Sequence, residues 1–206
     1  VTQAGFVSPE GQLTLFNLLY AKRGSLVGPM QITSGSPVAN NTLGATLNWF
    51  KPSPLPKSTD TVYQAGFGPL NVTVEGSPYA APAKGQRVMG LGTSPNPNAK
   101  LDFTLGGLAP EFAQLLYISN PSATGLTNKG TLTLPLTNAS KLTKLDAAKG
   151  RFTGSFVING ATKALNRPAL FEGLIVKIGA TTKGYGFFLL PTVTAKISTS
   201  PKLSGR

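Results

Sequence analysis

The chain has 206 residues, 40% apolar and 13% charged, with 24 glycines and 17 prolines; it is long enough for one large or two small cores, is far from disordered composition, and favours many short strands separated by turns. Nineteen basic residues against seven acidic ones give a formal charge of +12, which raises nucleic acid, anionic lipid headgroups and acidic polymers as partners. Cysteine and histidine are absent, which excludes disulfides, thiolate metal sites, thiol nucleophiles and the usual base of a hydrolytic triad.

VTQAGF at 1–6 alternates from its first residue with no turn before it, and reads as the second half of a strand whose opening lies upstream. Nor does this opening have the charged-then-apolar form of a signal segment, and no apolar run approaches the roughly 18 to 20 residues that span a bilayer. Ser8-Pro9-Glu10-Gly11 is a turn with proline at its second position, after which 11–20 (GQLTLFNLLY) resumes as a strand. Gly24, Leu26, Gly28, Met30 and Ile32 then alternate with the period of two that marks a half-buried strand. Residues 43–50 (LGATLNWF) form the next strand. Pro52, Pro54 and Pro56 make 51–60 a stiff loop that ends a sheet segment. A Tyr-and-Gly-Phe strand follows at 63–74, with Phe67 in the core. The turn-rich run 92–98 (GTSPNPN) has no apolar residue and is the expected boundary between a first unit, 1–92, and a second, 93–206.

The second unit opens at 100–107 with Leu101, Phe103 and Leu105 inward, and 109–118 (APEFAQLLYI) reads as a strand, with a helical turn as the alternative. Gly130-Thr131-Leu132-Thr133-Leu134 repeats the Gly-x-Leu-Thr-Leu pattern of Gly11 to Leu15. Gly150, Phe152, Gly154, Phe156 and Ile158 then reproduce the Gly24 pattern, each 126 positions later. Residues 171–178 (FEGLIVKI) answer 43–50, with Gly173 matching Gly44, and Tyr185-Gly186-Phe187-Phe188 answers the strand holding Phe67. Glycines kept inside strand patterns imply bulges, tight bends or a large ring lying across bare backbone. The run 192–198 (TVTAKIS) is expected as a closing strand before a polar tail. The expected fold is therefore all-β: two pseudo-equivalent antiparallel β-barrels or β-sandwiches from an internal duplication, with Leu26, Met30, Phe67, Phe152, Phe156, Phe171 and Phe187 inward.

Little in the chain is arranged for chemistry. The seven acids, Glu10, Asp60, Glu75, Asp102, Glu111, Asp146 and Glu172, lie singly, so a glycosidase pair would have to be assembled by the fold, and Glu75 and Glu172 are the least bland of them. No calcium-loop run of acids exists, and the glycines at 90 and 92 and at 184 and 186 do not open a helix after a strand, so neither metal nor phosphate cofactor is expected. Most cations are single lysines in turns and strand ends, as at Lys57, Lys84, Lys100, Lys129 and Lys163, where they keep edges soluble; no basic stripe interleaved with aromatics points to specific nucleic-acid binding. Trp49, Tyr63 and Tyr185, with Tyr79 and Tyr117, offer platforms for sugar rings, although aromatics in strands are first of all packing residues. Trp49 and Phe50, being adjacent, should face opposite ways. The Asn-x-Ser/Thr matches at Asn40, Asn71 and Asn138 are expected by chance in such a composition.

The stretches GQLTLFNLLYAKRGSLVGPMQI, Trp49-Phe50-Lys51-Pro52 and GRFTGSF…FEGLIVKI…GYGFFLLP resemble a repeated β-domain near the C-termini of large secreted proteins of Verrucomicrobia and Planctomycetes, often joined to immunoglobulin-like modules. The resemblance covers nearly the whole chain. It implies an extracellular, surface-associated setting, a further strand pair upstream of Val1 and a Gly-aromatic-Phe-Leu closing strand such as Gly186-Phe187-Phe188-Leu189; it carries no catalytic residue, and Glu172 departs from the small residue expected there. The expected function is a non-enzymatic structural or adhesive module of a secreted bacterial surface protein. Its partners would be further copies of itself, neighbouring modules or anionic glycans, and a carbohydrate-binding module is the alternative. A first unit without the opening strands that 100–107 gives the second would leave an open edge, to be completed by upstream residues or by a strand from another subunit.

Overall fold

The computed structural model describes residues 5–92, 97–116, 118, 138–192 and 200–206. The fold is all-β and antiparallel. A four-stranded sheet has the order β1 (Gln12–Leu19), β2 (Gly24–Thr33), β3 (Thr42–Lys51) and β4 (Phe67–Gly76). A two-stranded sheet pairs β5 (Ala99–Phe103) with β6 (Phe112–Leu116). A five-stranded sheet runs in order through β7 (Asn138–Asp146), β8 (Arg151–Ile158), β9 (Arg167–Ile178), β10 (Thr181–Pro191) and β11 (Lys202–Gly205). Among the described residues there is no α-helix, only 3-10 turns at Val38–Asn40, Val88–Gly90 and Lys163–Leu165. None of these is long and apolar enough to cross a membrane. The barrel alternative does not hold, because the sheets end in edge strands and four or five strands are too few to close around an interior of side chains.

The chain divides into two compact units, one holding the residues up to Tyr79 with Val176–Thr181, the other Ala80–Ile175 with Thr182–Arg206. In the first, β1 alternates strictly, with Leu13, Leu15 and Leu19 half-buried and Phe16 and Leu18 exposed. Leu26, Met30 and Phe67 are likewise only half-buried, whereas Leu47, in the middle of β3, is fully buried. β4 begins at Phe67 rather than Tyr63, since Tyr63 lies in a bend with φ near 49° that no strand accommodates.

The second unit holds the larger core. Alternation in β8 and β9 sends Phe152, Phe156, Ala169, Phe171 and Ile175 to one face. Phe103 and Phe112 bring two further rings, stacked 4.8 Å apart, and Phe103 lies 5.0 to 5.1 Å from Phe156 and Phe171. The Ser140 hydroxyl donates to Gln114 Oε1 at 2.9 Å, so the buried polar pair is satisfied. A Cβ on Gly154 would collide with the Phe171 ring, on Gly173 with the Phe152 ring and on Gly205 with the Phe188 ring. These strand glycines make room for rings lying across the backbone.

Several sequence expectations shift. Phe187 is half-exposed and Phe188 is the core residue, 1% exposed, because neighbours on a strand face opposite ways and Phe188 has the bare Gly205 opposite it. Leu105 is exposed in a turn with φ near 64°, so β5 stops at Phe103. The strand paired with β8 is β7, whose alternation is broken by a bulge between Leu142 and Lys144; the 130–137 stretch lies outside the described residues, as do 1–4, Tyr117 and 193–198. A closing strand forms at β11, inside what reads as a polar tail. Gly44 stands opposite Gln31 and Gly173 opposite Phe152, so the two occupy different rows of their sheets and are not equivalent.

Candidate ligand-facing sites

β3 ends in Trp49-Phe50-Lys51 because Pro52 removes the next backbone donor. The loop to β4 then turns back on itself: the Ser53 hydroxyl donates to the Ala65 carbonyl at 2.8 Å, and the Gly66 N–H to Tyr63 O at 2.9 Å. Gly66, at φ near 68°, passes so close to the backbone of Lys51 and Ser53 that no Cβ fits. This fold-back brings Trp49, Tyr63 and Phe67 into a mutual edge-to-face cluster, with Trp49 4.9 Å from Phe67 and 6.2 Å from Tyr63. The Trp49 indole N–H donates to the Tyr20 hydroxyl at 3.1 Å.

Beneath the rings lies a group that sequence reasoning missed. The Lys51 side chain, 3% exposed, donates to Asp60 Oδ2 at 2.8 Å and stands 4.9 Å from the centroid of the Tyr20 ring. The Lys51 hydrogen bond, followed by the Val62 N–H, holds the Asp60 carboxyl below the usual carboxylate value. Burial pushes the Tyr20 phenol above its ordinary value, against the Trp49 hydrogen bond and the Lys51 charge. The one signal in sequence was a lysine beside the most apolar part of a strand, where a solvated cation is out of place.

Of the three aromatic candidates, Trp49 and Tyr63 thus come together, while Tyr185 stands elsewhere, on β10. Trp49 is half-buried and its polar tip is engaged inside the cluster, as is its neighbour Phe50 half-buried on the other face. Tyr63 is about one-third exposed, at 36%.

Tyr185 belongs to a second surface, the outer face of the five-stranded sheet. Leu170 is 78% exposed, Leu174 52%, Phe187 50% and Tyr185 49%. Part of this face is a groove of about 790 Å³ whose lining includes Leu170, Glu172, Phe187, Leu189 and Lys202. Register places Ser155 between Leu170 and Lys141, Thr153 between Glu172 and Lys144, and Arg151 against Leu174. An apolar stripe is therefore flanked by cations, with Glu172 as the acid among them.

The acids have separate places. Asp60 pairs with Lys51 and Asp102 with Lys100 at 2.7 Å; Asp146 accepts from the N–H groups of Ala148 and Lys149, and Glu111 from that of Leu105. Glu75 and Glu172 are exposed strand residues in different units. Among the described residues no three His, Cys, Asp or Glu side chains group as metal ligands. Comparisons of the chain with protein-family models, with curated proteins and with solved structures find no match.

Proposed function

We propose that the chain is a structural or adhesive module of an extracellular bacterial surface protein, holding partners rather than transforming them. The observation that carries this reading is the cation-flanked apolar stripe on the outer face of the five-stranded sheet, with Leu170 and Leu174 both more than half exposed. Contiguous apolar surface rimmed by polar groups marks a site of association. The resemblance of the Gly11 to Ile32 and Gly150 to Pro191 stretches to secreted surface domains supports the same setting.

A duplicated origin fits this reading. In each unit a hairpin leads through a 3-10 turn into the next strand, as β1–β2–β3 and β7–β8–β9, and β1 begins 126 positions before β7. The turns share a device: the Gly35 N–H donates to Asn41 Oδ1 at 2.8 Å and the Gly160 N–H to Asn166 Oδ1 at 3.0 Å, both six residues ahead.

The test is retention of the labelled chain on bacterial envelopes. Saturable retention without release of any modified product, lost in the exposed double variant Leu170→Ser/Leu174→Ser, is the expected result; turnover of envelope material, or retention unchanged by the variant, overturns it. Carbohydrate binding is the second reading, favoured by the exposure of Tyr63 and Tyr185. On a glycan array it predicts saturable binding to anionic sugars that Tyr63→Ala or Tyr185→Ala weakens.

A further inference from the structure

β11 pairs with β10 only from Phe188 to Pro191. Where that cover ends, burial changes abruptly: the residues of β10 from Thr181 to Phe187 are exposed at every position, on both faces of the strand, whereas Phe188, Leu190 and Pro191 are buried. Among the described residues no strand covers this length on the β11 side, and beside it lies a cavity of about 380 Å³ lined by residues of the second unit. One wall is the complete strand β5, all five residues from Ala99 to Phe103; the other is β10, through Thr182, Lys183, Gly184, Gly186, Phe187 and Phe188. Successive strand residues point to opposite faces, so a cavity touching consecutive residues of two strands meets both along their edges. Phe152 and Phe171 line it from the core, and Arg206 lines it too.

The chain's own last strand shows what fits between these walls. Gly205 stands opposite Phe188 of β10 on one side and bridges Leu105, just past β5, on the other. Arg206 and Thr104 exchange two backbone hydrogen bonds, at 2.6 and 2.9 Å. β11 is thus a strand held between β10 and the continuation of β5, and the cavity lies between the same two stretches of chain.

We propose that this cavity is a strand-acceptor slot, which takes an extended polypeptide segment from a partner, running antiparallel to β10 and in the direction of β11. Residues 182–187 offer six positions, about 20 Å of strand. Unpaired strand edges are templates for such addition, with main-chain hydrogen bonds giving affinity and alternate side chains giving specificity. Inward residues of the segment meet the Phe152 and Phe171 rings and the bare backbone of Gly184 and Gly186, which asks for apolar side chains of modest size. Outward residues meet Lys100, Lys183 and Arg206, with Asp102 already paired to Lys100, which asks for acidic or hydroxyl groups. The slot deepens the structural-module reading by naming the kind of partner, and Leu170 and Leu174, which carry the outer-face stripe, do not line it.

The experiment titrates the full chain with a labelled peptide, acetyl-Val-Thr-Val-Glu-Val-Thr-amide, and follows amide exchange. Saturable binding is expected, with exchange slowed roughly tenfold or more in residues 99–103 and 182–187. Thr182→Lys places a charge at an exposed position of the slot wall and should weaken binding roughly tenfold at an unchanged melting temperature. Thr73→Lys, at an exposed position of β4 in the first unit, should leave it unchanged. A peptide with proline at alternate positions has fewer N–H groups to give and should bind roughly tenfold more weakly. Equal binding of the proline peptide, indifference to Thr182→Lys, protection elsewhere than these two strands, or no binding near millimolar peptide each overturns the slot. Failure here leaves envelope retention through Leu170 and Leu174 untouched, so the two readings fail separately.

Discussion

At Lys51 an ammonium group is almost wholly removed from water, and one carboxylate answers it. Removing the partner of a buried charge costs far more than an exposed pair contributes, because the remaining charge stays desolvated. Asp60→Asn is therefore expected to destabilise the first unit by about 1–3 kcal/mol in urea unfolding, below the full value because Asp60 itself is partly exposed. Lys51→Met added to Asp60→Asn should recover much of the loss, since the desolvated charge is then gone. The acid dependence has a definite sign. Asp60 titrates below its ordinary value in the fold, so its stabilisation is complete above the unfolded value and is lost as pH falls through the lowered folded one. Wild type should lose more stability than Asp60→Asn between roughly pH 7 and pH 3, and equal losses in the two proteins would contradict the pairing.

At the scale of the element, parity decides which of two neighbouring rings matters. Phe188 lies over Gly205 and within 5.1 Å of Phe156, while Phe187 faces outward. β5 contributes one ring, Phe103, that reaches Phe112, Phe156, Phe171 and Phe188 together. Phe103→Ala should cost about 3–5 kcal/mol, and Phe187→Ala less than about 0.5 kcal/mol, both read from denaturant midpoints. A large loss in Phe187→Ala would mean that the outer face is covered. β7 illustrates why an element can be invisible beforehand: its bulge sets Leu142 and Leu145, both turned toward the core side, three residues apart, so no period of two survives in the sequence.

Across the whole molecule, charge is unevenly divided. Ala80–Ile175 and Thr182–Arg206 hold fourteen of the nineteen basic residues and four of the seven acids, a net +10, and the remaining residues carry five and three, a net +2. Any polyanion should therefore engage the second unit, where Lys141, Lys144 and Arg151 lie along one side of the apolar stripe. On a heparin column the triple variant Lys141→Glu/Lys144→Glu/Arg151→Glu should elute at clearly lower salt than wild type, because exposed charges act over only about 8 Å at physiological ionic strength and local density decides retention. The same elution salt would show that the charge acts only through the molecule's net value.

Composition and period-two alternation by themselves determined the all-β class, the strands from Gly24 and from Arg151, the proline loop after Lys51 and the inward rings Phe152, Phe156 and Phe171. These follow from short-range rules, since alternation, turn chemistry and proline act within a few residues. What only the tertiary structure decided lies between segments far apart in the chain. The choice of Phe188 over Phe187 depends on Gly205, the burial of Lys51 on a loop that returns Asp60 to it, and the strand character of 202–205 on the uncovered edges of β10 and the Thr104–Leu105 stretch. A four-residue strand has no pattern long enough to identify it alone; it exists because two edges need their hydrogen bonds met, and that need arises only when the sheet is assembled.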